Sequence, residues 1–529
     1  MDLLTILNPD NIVSRPPRNA EGYMALSSWA EEQIWGHRLW YRQTPWLIFL
    51  EFLGIAEAML RKEQLFLSDF SSPFSTYRLH QRFALRNLLF NNSELLKIYF
   101  STDTDATKWD KWISWMNEEC EPNRGLDFQY LKLRFNGNFS DFVRTIELLR
   151  KTTLEPETNR RWSSRFLFPF GKNSLYEDLK ITSAKAERQA INFGRAGDLL
   201  YMMLSRSSKN NELQNYFTDI FTKQSVPDKL VAKLIPTDMD SELSNERTGG
   251  YLPYKAHPAY ERLADDWLAL FKLKMPSYDV YAHIVPLGTL HILLYLMETA
   301  SAWCGRGHSP TYICEVIAPK MEFVRQRALR SFIDNDGLPR NAIEKLMEGI
   351  MSGDEWNKIE SNPALLTDTD RVEEAKKFLD KELWLDQKDV AEAEDLSKLK
   401  QVVLRLLHKK LDDNIGSVHT AYGRHCGLVS KRSTRNYRYA PTDTLLKTLV
   451  LANVMERMEF SEFLKSLYQR YRFVFGPAEA SEALSNDEFD EMPFRRNIER
   501  LEERLRSMGL LNRLSDGVAY IENPFISGR

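Results

Sequence analysis

The sequence predicts a mainly α, multi-domain helical protein, on three observations. Glycine is scarce, at 23 of 529 residues, where an average protein has roughly 7%. A chain low in glycine and rich in Leu, Glu, Lys and Arg favours helix. Apolar residues recur at helical spacing in most legible stretches. The length of 529 residues also exceeds one ordinary core, and a prior of about 150 residues per domain gives two to four domains.

Lys plus Arg is 71, Asp plus Glu is 74 and the formal charge is -3. This excludes a uniformly basic nucleic-acid coat and an acidic disordered tail, but leaves room for a local basic patch. Hydrophobic residues make up 43%, enough to build cores. Four cysteines make no disulfide framework and fit a reducing cytoplasm. The opening MDLLTILNPDN has no basic n-region, so it does not read as a secretory signal. Two apolar stretches have membrane-like length. Pro45 to Leu60 carries Glu51 and Glu57, and His283 to Trp303 carries Pro286 and Glu298. Charges inside such runs favour buried helices over membrane spans, so no membrane partner and a cytoplasmic location are expected.

The elements follow in order. Trp29, Ile34, Trp35, Leu39 and Trp40 keep helical spacing, and Pro45 opens a dense apolar helix at a position where proline is tolerated. Further helices are expected over Ser75–Phe90 and Phe139–Lys151. The run Tyr130 to Phe135 alternates like a strand. The polar stretch PTDMDSELSNERTGGYLPYKAHP breaks the pattern. It sets boundaries of 1–235 for an N-terminal helical domain, 236–258 for a linker, 259–400 for a middle helical domain and 401–529 for a basic segment plus C-terminal module. The middle resumes with helices over Ala259–Phe271 and Ile284–Trp303. The charged stretch Arg371 to Lys410 reads as a solvated helical pair.

The C-terminal region is the most legible. Thr442 stands as an N-cap before an apolar helix, without the acid of a full capping box. A second helix runs from Phe460 to Tyr471, with Phe460, Phe463, Leu464 and Leu467 on one face. A third runs from Asn497 to Met508, with Gly509 as its stop. Two apolar runs, Leu510–Leu514 and Val518–Ile521, flank Ser515-Asp516-Gly517, a strong hairpin signal. Three helices followed by a hairpin resemble the winged-helix plan, so the module is read as winged-helix-like. In DNA-binding members of that family the third helix enters the major groove, which would turn Arg500, Arg504 and Arg506 toward phosphate. Glu499, Glu502 and Glu503 alternate with them, and carboxylates repel phosphate. Use of this module for protein contact therefore stays open beside DNA contact.

The strongest basic run lies just ahead, RHCGLVSKRSTRNYRY. It holds Arg424, Lys431, Arg432, Arg435 and Arg438 with Tyr437 and Tyr439 among them, and no acid. Cations gain affinity for nucleic acid by releasing condensed counterions, and aromatic rings stack on exposed bases. If the run is extended, Arg435, Tyr437 and Tyr439 share a face. The alternative is a solvated hairpin paired with the acidic loop Asp487 to Glu491. The candidate nucleic-acid-binding set is Arg424, Lys431, Arg432, Arg435, Tyr437, Arg438, Arg500 and Arg504.

No catalytic signature emerges. Cys304, His308 and Cys314, with His419, His425 and Cys426, contain zinc-type donors, but their spacing fits no standard knuckle, and no cofactor is expected. His408-Lys409-Lys410 lacks the downstream Asp of a phospholipase D-type motif. Gly171-Lys172 lacks the upstream glycine and following hydroxyl of a P-loop. Glu177, Asp178 and Lys180 lack a strand pattern beneath them. His283 and His291 lie two turns apart and read as buried, satisfied histidines.

Three blocks, WAEEQIWGHRLWYRQTPWLIFLEFLG, SKRSTRNYRYAPTDTLLKTLVLANV and LEERLRSMGLLNRLSDGVAYIENPF, resemble accessory proteins of bacterial antiphage defence clusters. Those clusters couple a DNA-modification mark to separate ATPase and nuclease components. The resemblance implies a non-enzymatic scaffold or DNA-engaging subunit. Its partners would be other protein subunits of a defence complex, ATPase or nuclease components, and DNA. A nuclease or hydrolase with an unrecognised site and a winged-helix transcriptional regulator are the alternatives.

Overall fold

The computed structural model describes residues 2–13, 26–36, 39–68, 76–119, 126–154, 165–181, 186–188, 193–237, 243–316, 322–365, 367–409, 411, 414–432, 435–515 and 518–526. Helix dominates, and the described strands are two to five residues long, set in two-stranded pairs and one three-stranded sheet.

The helix Ser277–Trp303 organises the chain. Its sequence is apolar around the whole circumference, and such a helix must be covered on every side. Helices Leu26–Trp35 and Pro45–Arg61, from the first stretch of the chain, pack on it. So do Pro258–Phe271 and Leu338–Met351, from the middle, and Ile415–His425 and Asp443–Asn453, from the last. Buried apolar side chains from Leu3 to Ile521 form one continuous cluster across these stretches. Tyr278–Trp303 is long and apolar enough to cross a membrane, and 89% of its apolar window is buried inside the protein. Pro286 sits within the helix and removes one backbone donor, one turn after the exposed Ala282.

The carboxyls inside the Pro45–Arg61 helix have definite duties. Glu51, 1% exposed, accepts from the Gly197 amide at 3.0 Å, the Arg195 amide at 3.1 Å and the Gln43 side chain at 2.8 Å. A carboxylate at the start of the Ala196–Ser205 helix meets the positive end of its dipole. Glu57 pairs with Arg61 at 3.0 Å and lies 3.3 Å from His80.

Several sequence expectations change. Tyr130 to Phe135 is not a strand, because Gln129–Arg134 is helical. Arg134 there donates to the carbonyls of Ala232 and Lys233, near the end of the helix Val226–Leu234. The helix expected from Ser75 starts only at Phe83, because Thr76–Tyr77 pairs with Arg247–Thr248 and Arg82 takes φ +50°. Segment 236–258, where described, is tied into the fold by that pairing and by buried Tyr251, Leu252 and Tyr254. The charged stretch is a helical pair, Asp368–Leu383 and Leu396–His408.

In the C-terminal region the helices are Asp443–Asn453, Phe460–Tyr471 and Glu491–Ser507. The hydroxyl of Thr442 accepts from the Leu445 amide at 3.3 Å. The third helix starts six residues before the expected Asn497, because the Asp490 side chain accepts from the Met492 amide and caps it there. Gly509 ends it at φ +72°. Strands Leu511–Ser515 and Val518–Glu522 pair antiparallel, and residues 516–517 between them lie outside the described set. Arg457–Glu459 adds a third strand, in the spatial order Arg457–Glu459, Val518–Glu522, Leu511–Ser515. Phe473–Val474 pairs in parallel with Tyr312–Ile313, a long-range pairing that the hairpin expectation omitted.

Two helices approach closely at Gly197. A Cβ there would stand 2.6 Å from both the Glu51 Cβ and the Phe52 amide nitrogen. Helix propensity alone favours Gly197→Ala by about 1 kcal/mol. Overpacking reverses the sign, and the variant is expected to lose about 1–3 kcal/mol in urea unfolding. A gain would disprove the close crossing.

Candidate nucleic-acid interface

Helix Ile415–His425 leads into the antiparallel pair Val429–Ser430 and Arg438–Tyr439. The residues between these two short strands form the basic loop. Arg424, Lys431, Arg432 and Arg435 are exposed, and Tyr437 is half-buried. Ser433 and Thr434 lie outside the described residues. The Lys431 ammonium stands 5.2 Å from the Tyr437 ring centroid, and the Arg424 guanidinium 5.8 Å from it. Among the described residues none of these four cations has a carboxylate within ion-pair distance. The acidic loop does not supply one, since Glu488 pairs with Arg327 at 3.2 Å and Glu491 with Arg495.

A buried layer holds the loop from beneath. Arg438, expected in the exposed set, is 5% exposed and ion-paired to Glu315, which is 0% exposed. Arg325, also 5% exposed, stands 3.9 Å from the same carboxylate. Both guanidiniums also donate to the Arg432 carbonyl, Arg438 at 3.2 Å and Arg325 at 3.5 Å. The loop backbone is thus gripped at one peptide by two cations sharing one carboxylate. A buried charge persists only when paired and hydrogen-bonded, so Arg438 anchors the loop and is not available to a ligand.

Tyr439 is also buried, so it does not share an exposed face with Arg435 and Tyr437. His419 lies between two hydrogen-bond partners, with Nδ1 2.7 Å from the Asp336 carboxylate and Nε2 2.8 Å from the Tyr439 hydroxyl. Asn335 donates to that hydroxyl at 3.0 Å, and Phe332 stacks on the imidazole at 4.8 Å. Burial pushes the Tyr439 phenol well above its ordinary range, so it remains a neutral hydrogen-bonding group.

The remaining two members of the expected set lie elsewhere. Arg500 pairs with Glu322 at 2.7 Å and Arg504 with Asp443. They bind the Glu491–Ser507 helix to its neighbours instead of joining the loop cluster. Sequence reading missed Glu315 and Arg325, which carry no local pattern and reach Arg438 and the Arg432 carbonyl only through the fold.

No family model, curated protein or solved structure matches this chain.

The other motifs resolve separately. Cys314 and Cys426 are buried with their thiols against the backbone carbonyls of Tyr312 and Gly423. Among the described residues no three His, Cys, Asp or Glu side chains gather as metal donors. His291 lies 2.7 Å from Asp266, and His283 lies 2.7 Å from the Thr448 hydroxyl. Beside Gly171, Asp228 fills the space a phosphate would need, accepting from the Asn173 amide at 3.2 Å and its side chain at 2.7 Å. Glu177 is ion-paired with Arg247, just before the short strand Leu179–Ile181.

Removing one partner of a buried ion pair costs about 3–5 kcal/mol. Glu315→Gln removes the carboxylate charge that two buried guanidiniums share, whereas Arg438→Met leaves Glu315 beside Arg325. Urea midpoints are expected to fall in both variants, and further in Glu315→Gln. Equal stability of wild type and Glu315→Gln would contradict the anchoring layer.

Proposed function

We infer that this chain is a non-enzymatic helical subunit of a multi-protein bacterial antiphage defence assembly. In this reading its basic loop rests on the phosphate backbone of DNA. The observation that carries the DNA contact is the exposed, uncompensated set Arg424, Lys431, Arg432 and Arg435 around Tyr437. A rigidly anchored loop loses little conformational freedom on binding, which raises affinity. Phosphate contacts position a protein without reading sequence, so the binding is weak in sequence preference. The three resembling blocks support an accessory role beside ATPase or nuclease components, in the cytoplasm.

The winged-helix reading of the C-terminal module draws its support from three helices followed by a hairpin. The module's three-stranded sheet places the last strand between the other two. Arg500 and Arg504 are spent on Glu322 and Asp443. This favours packing or protein contact for the Glu491–Ser507 helix and leaves the DNA contact to the loop.

A gel-shift salt titration of the full chain tests the reading. Each neutralised phosphate contributes a slope of about -0.9 in log K against log salt. Replacing Lys431, Arg432 and Arg435 with Ala is expected to weaken DNA binding and reduce that slope by up to about three units. The thermal midpoint should hardly move, since exposed charges contribute less than about 1 kcal/mol each. Unchanged DNA binding with loss of co-purifying subunits would assign the loop to an acidic protein instead.

A further inference from the structure

A second feature lies away from the basic loop. Between the helix Asn210–Thr222, the turn that follows Phe271 and the start of the central helix there is a cleft of about 570 Å³. Ligand pockets for compact organic molecules run from about 300 to 1,000 Å³. Aromatic rings dominate the walls. Tyr216 and Phe271 stack at 5.1 Å with an interplanar angle of 11°, and Phe170 meets Tyr278 edge to face at 5.6 Å.

Polar groups are few. Tyr281 lines the cleft, is 3% exposed and packs its ring on Phe49 at 5.1 Å and Phe168 at 5.9 Å. Its hydroxyl has no hydrogen-bond partner among the described residues. A hydroxyl that spends no hydrogen bond on the protein is free to give one to a ligand. The described charged residues of the lining, Asp219 and Lys223, pair with each other. The lining therefore has no net charge to hold a phosphate or a carboxylate.

We propose that this cleft binds an uncharged planar aromatic heterocycle of nucleoside size, its ring against the aromatic walls and a polar edge bonded to the Tyr281 hydroxyl. Stacking on aromatic side chains tolerates many ring systems, and the hydroxyl adds the requirement for a polar edge. A triphosphate gains nothing over the free nucleoside, because Lys223 already has its counter-ion.

The test uses the full chain with adenosine, guanosine and thymidine as probes in saturation-transfer NMR. At least one nucleoside is expected to bind saturably, and its 5′-triphosphate no more tightly. Tyr281→Phe should weaken that binding by about tenfold, the effect of one lost hydrogen bond. Ile220→Trp, which fills the cleft from a half-buried position, should abolish it with an unchanged thermal midpoint. Competition by a short single-stranded oligodeoxyadenosine would place the source of the heterocycle in a strand, and its absence would place it in free nucleosides. The proposal is overturned if no probe saturates, if the triphosphate binds far more tightly, or if both variants bind as wild type does.

Discussion

A 27-residue helix without a polar face is the constraint from which the rest follows. In water it is stable only when other elements cover it on all sides. Segments from both ends of the chain meet on it for this reason. Trp35 donates to the Leu296 carbonyl at 3.0 Å, and Tyr295 returns a bond to the Trp35 carbonyl at 3.0 Å. The Leu3 amide donates to the Gly307 carbonyl just beyond the helix end.

The polar groups on this helix select its partners, because each needs a hydrogen bond where water is excluded. Glu298 takes Arg262 at 2.8 Å. His291 takes Asp266, which also accepts from the Tyr471 hydroxyl at 2.7 Å and pairs with Arg470. One buried carboxylate thus joins the central helix, its neighbour Pro258–Phe271 and the C-terminal helix Phe460–Tyr471. His283 is held neutral, burial pushing it down to about 4, and bonds Thr448 on the helix Asp443–Asn453. These bonds fix how the C-terminal region sits against the core, and the basic loop precedes that region directly.

Local patterns were legible where they decide structure. The helix Phe460–Tyr471 has the expected bounds, since Phe460, Phe463, Leu464 and Leu467 all turn inward. The hairpin pairing Leu511 to Ile521 follows from the flanking apolar runs. Gln129–Arg134 was illegible because six residues of alternation also fit a helix that buries Leu131 and exposes Leu133. At the site, a run of cations predicts exposure for Arg424, Lys431, Arg432 and Arg435. It cannot single out Arg438, whose partner Glu315 is 123 residues away in sequence. The same limit hid the partners of Arg500 and Arg504, and nothing local marks the aromatic cleft.

The loop's chemistry rests on a division between cations that anchor and cations that remain exposed. Arg325 and Arg438 hold one peptide carbonyl from below, and the side chains above it stay in water. Hydrogen–deuterium exchange of the full chain, with and without duplex DNA at low salt, tests this division most directly. The account predicts added protection in peptides covering 424–440 and no change across 491–507. Protection across 491–507 with 424–440 unchanged would contradict it.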